Sequence, residues 1–217
     1  MRFEKEDNGG EELFEKYNVR STPTLLVLES DGTEIDRTLG FYPRDERFLK
    51  KIEKIYHRED LFSDLKKKYE ENPDNLENTF KLAYRYQRTF FDMDKSKELY
   101  KQVMAKPAKA RKIVLHHEII DKDVSIYEQA LYQMGDVEYL DQLLTEIPET
   151  VIREQAISMK ASRLAFPQPG QEYENTSEFF QNALKEFPEN RGLKFSYMYY
   201  GSFQKKDLEN VTKVADE

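Results

Sequence analysis

From Arg58 onward the chain is punctuated by prolines at a near-regular interval: Pro73, Pro107, Pro148 and Pro188 stand 34, 41 and 40 residues apart. Between them apolar residues recur at three and four spacing, in "DLFSDLKKKYEEN", "LENTFKLAYRYQRTF" and "DKSKELYKQVMAK", the period at which one face of an α-helix turns inward. Proline is tolerated in the first turn of a helix and breaks it further in, so each proline marks a helix boundary. A repeat of roughly 34 to 47 residues is the signature of stacked helical hairpins. The related segments "ENPDN" and "EFPEN" beside the first and last of these prolines support it. The spacing predicts an all-α helical array over residues 58–217.

The preceding segment has a different pattern. "MRFEKE" alternates weakly, "DNGG" is a turn signal, and in "EELFEKY" Leu13, Phe14 and Tyr17 share one side of a short helix. Thr24–Leu28, "TLLVL", is a continuous apolar run of strand length, as expected of a strand buried on both faces. "SDG" then turns the chain into a second strand, Glu34–Phe41. There Ile35, Arg37, Leu39 and Phe41 lie on one face, with Arg37 the polar exception. "PRDERFLKKIEKIYH" closes the segment as a helix with Phe48, Leu49, Ile52 and Ile55 on one stripe.

This order, and the stretch "YNVRSTPTLLVLESDGTEIDRTLGF" in particular, resembles the C-terminal half of the thioredoxin fold over residues 2–56. The resemblance implies a cis bond at Thr22–Pro23, with Thr22 offering backbone groups to an extended substrate, and Gly40 closing the hairpin. The family's first strands and its Cys-x-x-Cys helix would precede Met1. The chain contains no cysteine, so its own residues cannot form the mixed disulfide of thiol exchange. The missing strand would be the central one, lying between "RFEKE" and "TLLVL". An apolar strand edge without that neighbour is expected to close by direct pairing of the two remaining strands, by covering helices from the array, or by a strand of another chain.

Leu76–Pro107 resembles a tetratricopeptide repeat. Leu82, Ala83 and Tyr86 supply the large, small and aromatic positions of one helix, and Ser96, Tyr100 and Val103 those of the next. Close approach of two helices needs short side chains where they cross, which places Ala83 against Ser96. Phe80, Tyr84, Gln87 and Arg88 lie on the adjoining face, which lines the concave groove in that repeat family. The resemblance makes them peptide-binding candidates, beside the competing role of packing on a neighbouring hairpin. "YMYYGSF", Tyr197–Phe203, reads either as a capping helix or as an exposed apolar patch.

Composition narrows the function further. Charged residues make up 35% of the chain and the net charge is −8, with basic runs interleaved with acids, so no face suited to nucleic acid stands out. No apolar run reaches the roughly 20 residues of a membrane span, and the first residues lack the apolar core of a signal peptide. The compartment stays open, an extracytoplasmic one included should a signal peptide lie upstream. His116 and His117 would diverge by about 100° on a helix, unlike a same-face metal pair. "DMDKSKELYKQV" has Lys97 where a calcium loop needs glycine, so Asp92 starts a helix instead. No phosphate loop, catalytic pair, metal site or cofactor site is predicted.

The fold class expected is α+β: a partial thioredoxin-like α/β module over residues 1–57, then a tetratricopeptide-like all-α array over residues 58–217. The function expected is non-catalytic protein or peptide binding, or scaffolding. The alternative is the C-terminal portion of a thiol-disulfide oxidoreductase whose cysteine-bearing segment lies upstream.

Overall fold

A computed structural model describes residues 9–40, 46–59, 61–117, 120–168 and 170–204. The chain divides into two compact units, Met1–Ile113 and Val114–Glu217.

In the first unit the elements run α1 (Gly10–Lys16), β1 (Thr24–Leu28), β2 (Glu34–Leu39), α2 (Glu46–Tyr56), α3 (Phe62–Glu71), α4 (Leu76–Arg88), α5 (Met93–Met104) and α6 (Pro107–Ala110). The strands β1 and β2 are antiparallel, pairing Thr24 with Leu39 and Leu26 with Arg37, with a bulge at Val27/Leu28. Their turn closes through Gly32 N–H to Glu29 O at 3.0 Å, and Gly32 takes a φ of 86°, the left-handed region that glycine enters without a steric cost. The expected strand "RFEKE" and Phe41 lie outside the described residues.

Two expectations for this region are corrected. β1 is not buried on both faces, since Leu25 and Leu28 are 41% and 38% exposed; among the described residues β1 pairs with β2 alone. The stripe on α2 is covered only in part: Ile55 is buried, whereas Leu49 and Ile52 are exposed. The buried positions of β2 are instead polar, namely Asp36, Arg37 and Thr38, because that strand faces the helices rather than a second apolar layer.

The helical hairpin of α4 and α5 forms as the small residues dictate. Ala83 and Ser96 are fully buried where the helices meet, and Ser96 Oγ donates to Ala83 O at 2.8 Å. Asn75 caps α4 by accepting from Asn78 N–H at 3.1 Å, and Asp92 caps α5 by accepting from Lys95 N–H at 2.9 Å.

The second unit contains β3 (Val114–His117), β4 (Lys122–Ser125), α7 (Ile126–Met134), α8 (Val137–Glu146), α9 (Arg153–Ala165), α10 (Thr176–Glu186) and α11 (Arg191–Gln204). The hairpin of β3 and β4 corrects the all-α expectation for residues 58–217. β-branched Val114 and Val124 favour the pleated backbone, Asp121 supplies a positive-φ turn residue, and Gln129 Nε2 on α7 donates to both Leu115 O and Val124 O at 3.0 Å. On β3 the two histidines point to opposite faces: His116 lies against Asp121 and Asp123, while His117 is buried beside the Tyr132 ring.

The core of this unit gathers Ile157, Ala161 and Leu164 of α9, Phe180 and Ala183 of α10, and Leu193, Tyr197 and Tyr200 of α11. Phe180 stacks on Tyr197 with centroids 5.0 Å apart. In "YMYYGSF" one face therefore packs, through Tyr197 and Tyr200, and another carries Met198 at 37% exposure. The repeated "PxN" segments do the same work in each unit: like Asn75, Asn190 accepts from the amide three residues on, Leu193 N–H at 3.0 Å.

Candidate functional site

The loop that joins α1 to β1 is held from below by Arg37. Its guanidinium is 1% exposed and is clamped by Glu34, with Nε to Oε1 and Nη2 to Oε2 both at 2.5 Å. Nη2 also donates to Tyr17 O at 2.6 Å, and Nη1 to Asn18 O at 3.4 Å. Tyr17 Oη donates to Gly32 O at 2.9 Å, tying the loop to the β-turn. A planar guanidinium with five donors is suited to gathering several carbonyls and one carboxylate at once. Thr24 Oγ1 donates to Ser21 O at 2.5 Å, and the Thr22–Pro23 bond is cis. Gly40 N–H donates to Pro23 O at 3.0 Å, so Gly40 closes the hairpin onto this loop.

The turn between α4 and α5 meets the same loop. Asn18 Nδ2 donates to Phe91 O at 2.7 Å, and the Phe91 ring carries Arg37 Cζ at 4.2 Å and Lys66 Nζ at 4.7 Å. Burial among these rings pushes the Lys66 ammonium below its ordinary range. Asp36 forms a buried ion pair with Arg85 of α4. Asn18 and Phe90 both adopt positive φ, 48° and 49°; for a bulky residue such as Phe90 this costs about 1–2 kcal/mol, and the side chain is left 47% exposed.

A cavity of about 530 Å3 opens here, lined by Asn18, Arg20, Phe90, Asp92, Met93 and Asp94. It combines a cation, two carboxylates and two exposed apolar side chains. That mixture suits recognition of a chain segment, since aromatic and arginine contacts dominate the energetics of protein interfaces.

Among the residues predicted for binding, Thr22 and Pro23 are exposed, two and three positions beyond Arg20. On α4, Phe80 is buried, its ring 5.7 Å from Tyr100 and 6.4 Å from Tyr84. Gln87 accepts from Tyr100 Oη at 2.9 Å. Tyr84 is half-buried, and Arg88 is exposed with its guanidinium 6.0 Å from the Tyr84 ring. The structure thus joins these four along one helix face, with Arg88 the most open. Sequence reasoning missed the turn residues Phe90 and Met93. The signal available was "TFFDMD", two successive aromatics and a methionine at a helix end, where an amphipathic stripe no longer gives them a core to enter.

The family model described as Thioredoxin-like domain matches residues 4–56. A thioredoxin-like domain is present. Its loop and hairpin carry the Arg37 clamp and the cis bond, and its β2 makes the ion pair to α4. Comparison with curated proteins and with solved structures gives no match. The chain contains no cysteine, so the residues of this thioredoxin-like domain supply no thiolate to attack a disulfide.

Proposed function

We propose that the chain is a protein-binding or scaffolding protein, combining a redox-inactive thioredoxin-like module, residues 1–57, with a tetratricopeptide-like helical array, residues 58–217. The observation that carries this reading is the cavity between the α1–β1 loop and the α4–α5 turn, with Phe90 and Met93 exposed over a framework locked by Arg37 and Asn18. Large apolar side chains held open by backbone that costs free energy are characteristic of binding surfaces. Peptide contacts are assigned to this cavity, to the neighbouring Thr22 and Pro23, and to the α4 face of Tyr84, Gln87 and Arg88 with Phe80 beneath.

The test is affinity capture by the full chain beside its Phe90→Ser/Met93→Ser variant, both checked for folding by circular dichroism. Binding of partners that the variant loses is the expected result, and identical partner sets at equal strength would remove the site. An insulin-reduction assay should match the blank.

A second reading makes these residues the C-terminal portion of a thiol-disulfide oxidoreductase. The observation favouring it is β1, paired with β2 alone among the described residues and exposing Leu25 and Leu28. An in-frame Cys-x-x-Cys segment upstream of Met1 would establish this reading, and its absence from the coding sequence would end it.

A further inference from the structure

On α3, Lys66 follows Phe62 at a spacing of four residues, which sets the two side chains on one helix face. Lys66 Nζ lies 4.1 Å from the Phe62 ring centroid and 4.7 Å from that of Phe91. The Phe62 ring meets Phe91 and Tyr86 edge-on, with centroids 5.6 and 5.3 Å away, so the amine rests on a wall of aromatic rings. Lys66 is half-buried rather than enclosed.

The surroundings of this amine are short of counter-charge. Glu34 of β2 is taken up by Arg37, whose Nε and Nη2 each hold one of its oxygens at 2.5 Å. Glu70, one turn along α3, points into solvent and is exposed. Among the described residues Lys66 Nζ has no hydrogen bond and no ion pair. The Arg37 guanidinium shares the Phe91 ring with it, Cζ standing 4.2 Å from the centroid. Burial on the rings, aided by the like charge of Arg37, holds the ammonium below its ordinary range against the opposing pull of Glu34 and Glu70. A lysine desolvated by apolar walls, or set beside another cation, is an activated nucleophile, because more of it is the neutral amine at neutral pH.

We propose that Lys66 is a site of N-acylation by acyl thioesters. The Nζ lone pair attacks the thioester carbonyl carbon; the C–N bond forms, the C–S bond breaks, and the thiolate leaves, taking up through solvent the proton that the nitrogen loses. Nothing is oxidised or reduced. The product is a secondary amide and a free thiol. The amide is neutral, so it rests on the aromatic wall with no charge to desolvate, and both cation–π contacts end. With no cysteine in the chain, the acyl group cannot arrive by transfer from one of its own thiols, and attack by the amine is direct.

The probe is the acetyl thioester of N-acetylcysteamine, added to the full chain at neutral pH, with the occupancy of each lysine followed in time by fragmentation mass spectrometry. Lys67 and Lys68, exposed on the same helix, serve as internal references. In the folded chain Lys66 should acetylate at least about threefold faster than either. In urea that lead should vanish, and the Lys66 rate should level off at a lower pH in the folded chain than in the unfolded one. Acetylation of Lys66 no faster than that of Lys67 and Lys68 in the folded chain, or a lead that persists unchanged in urea, overturns the proposal. Both comparisons use the unaltered chain, so no variant has to fold.

Discussion

The ion pair between Asp36 and Arg85 joins the thioredoxin-like hairpin to the helix α4, and its two ends are unequal. The Asp36 side chain is 3% exposed and the Arg85 side chain 20%. Asp36 also accepts from Arg37 N–H at 2.7 Å. Replacing Arg85 by Met leaves a buried carboxylate with that single neutral donor. Breaking a fully buried pair from one side costs about 3–5 kcal/mol; the remaining N–H and the partial exposure of Arg85 bring the expected loss to about 2–3 kcal/mol. Asp36→Asn should cost only about 1 kcal/mol, because the orphaned guanidinium can turn to water. Among the described residues Arg85 Nε is already buried without an acceptor, so the double change Asp36→Asn/Arg85→Met removes both charges together and should cost less than the sum of the two single changes. The two compact units need not unfold together, so the readout is hydrogen exchange of peptides spanning β2 and α4 rather than a global melt. Loss of less than 0.5 kcal/mol in Arg85→Met, roughly a twofold change in opening, or strict additivity in the cycle, would refute the claim that this pair locks the hairpin to the helix.

Other outcomes turn on single positions. Gly135 takes a φ of 69°, and a Cβ there would sit 3.4 Å from Arg163 Nη2 and 3.5 Å from Met159 Sδ; Gly135→Ala should lower the stability of the second unit by about 1–2 kcal/mol, read by thermal unfolding. Phe180 is fully buried and stacked among Tyr197 and Tyr200, so Phe180→Ala should cost about 3–5 kcal/mol, measured by urea denaturation. Burial raises the Tyr100 hydroxyl well above its ordinary value of 10.0. The folded state thus favours the neutral phenol, a contribution fully present below the unfolded value and lost as pH rises from there toward the folded one. Ultraviolet titration should show alkaline unfolding whose onset moves to higher pH in Tyr100→Phe; an unchanged onset would mean this hydroxyl is not coupled to folding.

The sequence made the helical hairpins legible because their cause is local. Ala83 and Ser96 are short where the helices cross, and the asparagines of "ENPDN" and "EFPEN" cap the helices α4 and α11 that begin directly after them. The loop around Thr22 and Pro23 was legible through its match to a known pattern. The hairpin of β3 and β4 was not: four-residue strands carry too little alternation to stand out from a surrounding helical period, and Gln129, which anchors both strands, reads as an ordinary surface glutamine. The cavity at Phe90 was hidden for a related reason. Its walls come from Asn18 and Arg20 on one side and from residues 90–94 on the other, some seventy positions away, and only the packed structure brings them together.

That long-range join also explains why the buried face of β2 is polar. A two-stranded sheet has a small apolar surface, and the helices and the α4–α5 turn beside it bring Arg85, Lys66 and Phe91 rather than a layer of aliphatic side chains. Burial of Asp36 and Arg37 is tolerable only because each is satisfied: Asp36 by Arg85 and a backbone N–H, Arg37 by Glu34, two carbonyls and the Phe91 ring. Apolar contact is indifferent to register, whereas these bonds are directional, so they fix the α1–β1 loop against the α4–α5 turn in a single arrangement. The open cavity, with Phe90 and Met93 at its rim, is a consequence of that arrangement. Loosening Arg37 should therefore disturb the cavity before it unfolds the unit. In Arg37→Met, chemical shifts of Asn18, Phe90 and Met93 should move while the α4–α5 hairpin keeps its protection from exchange; simultaneous loss of both would show that the polar face serves stability alone.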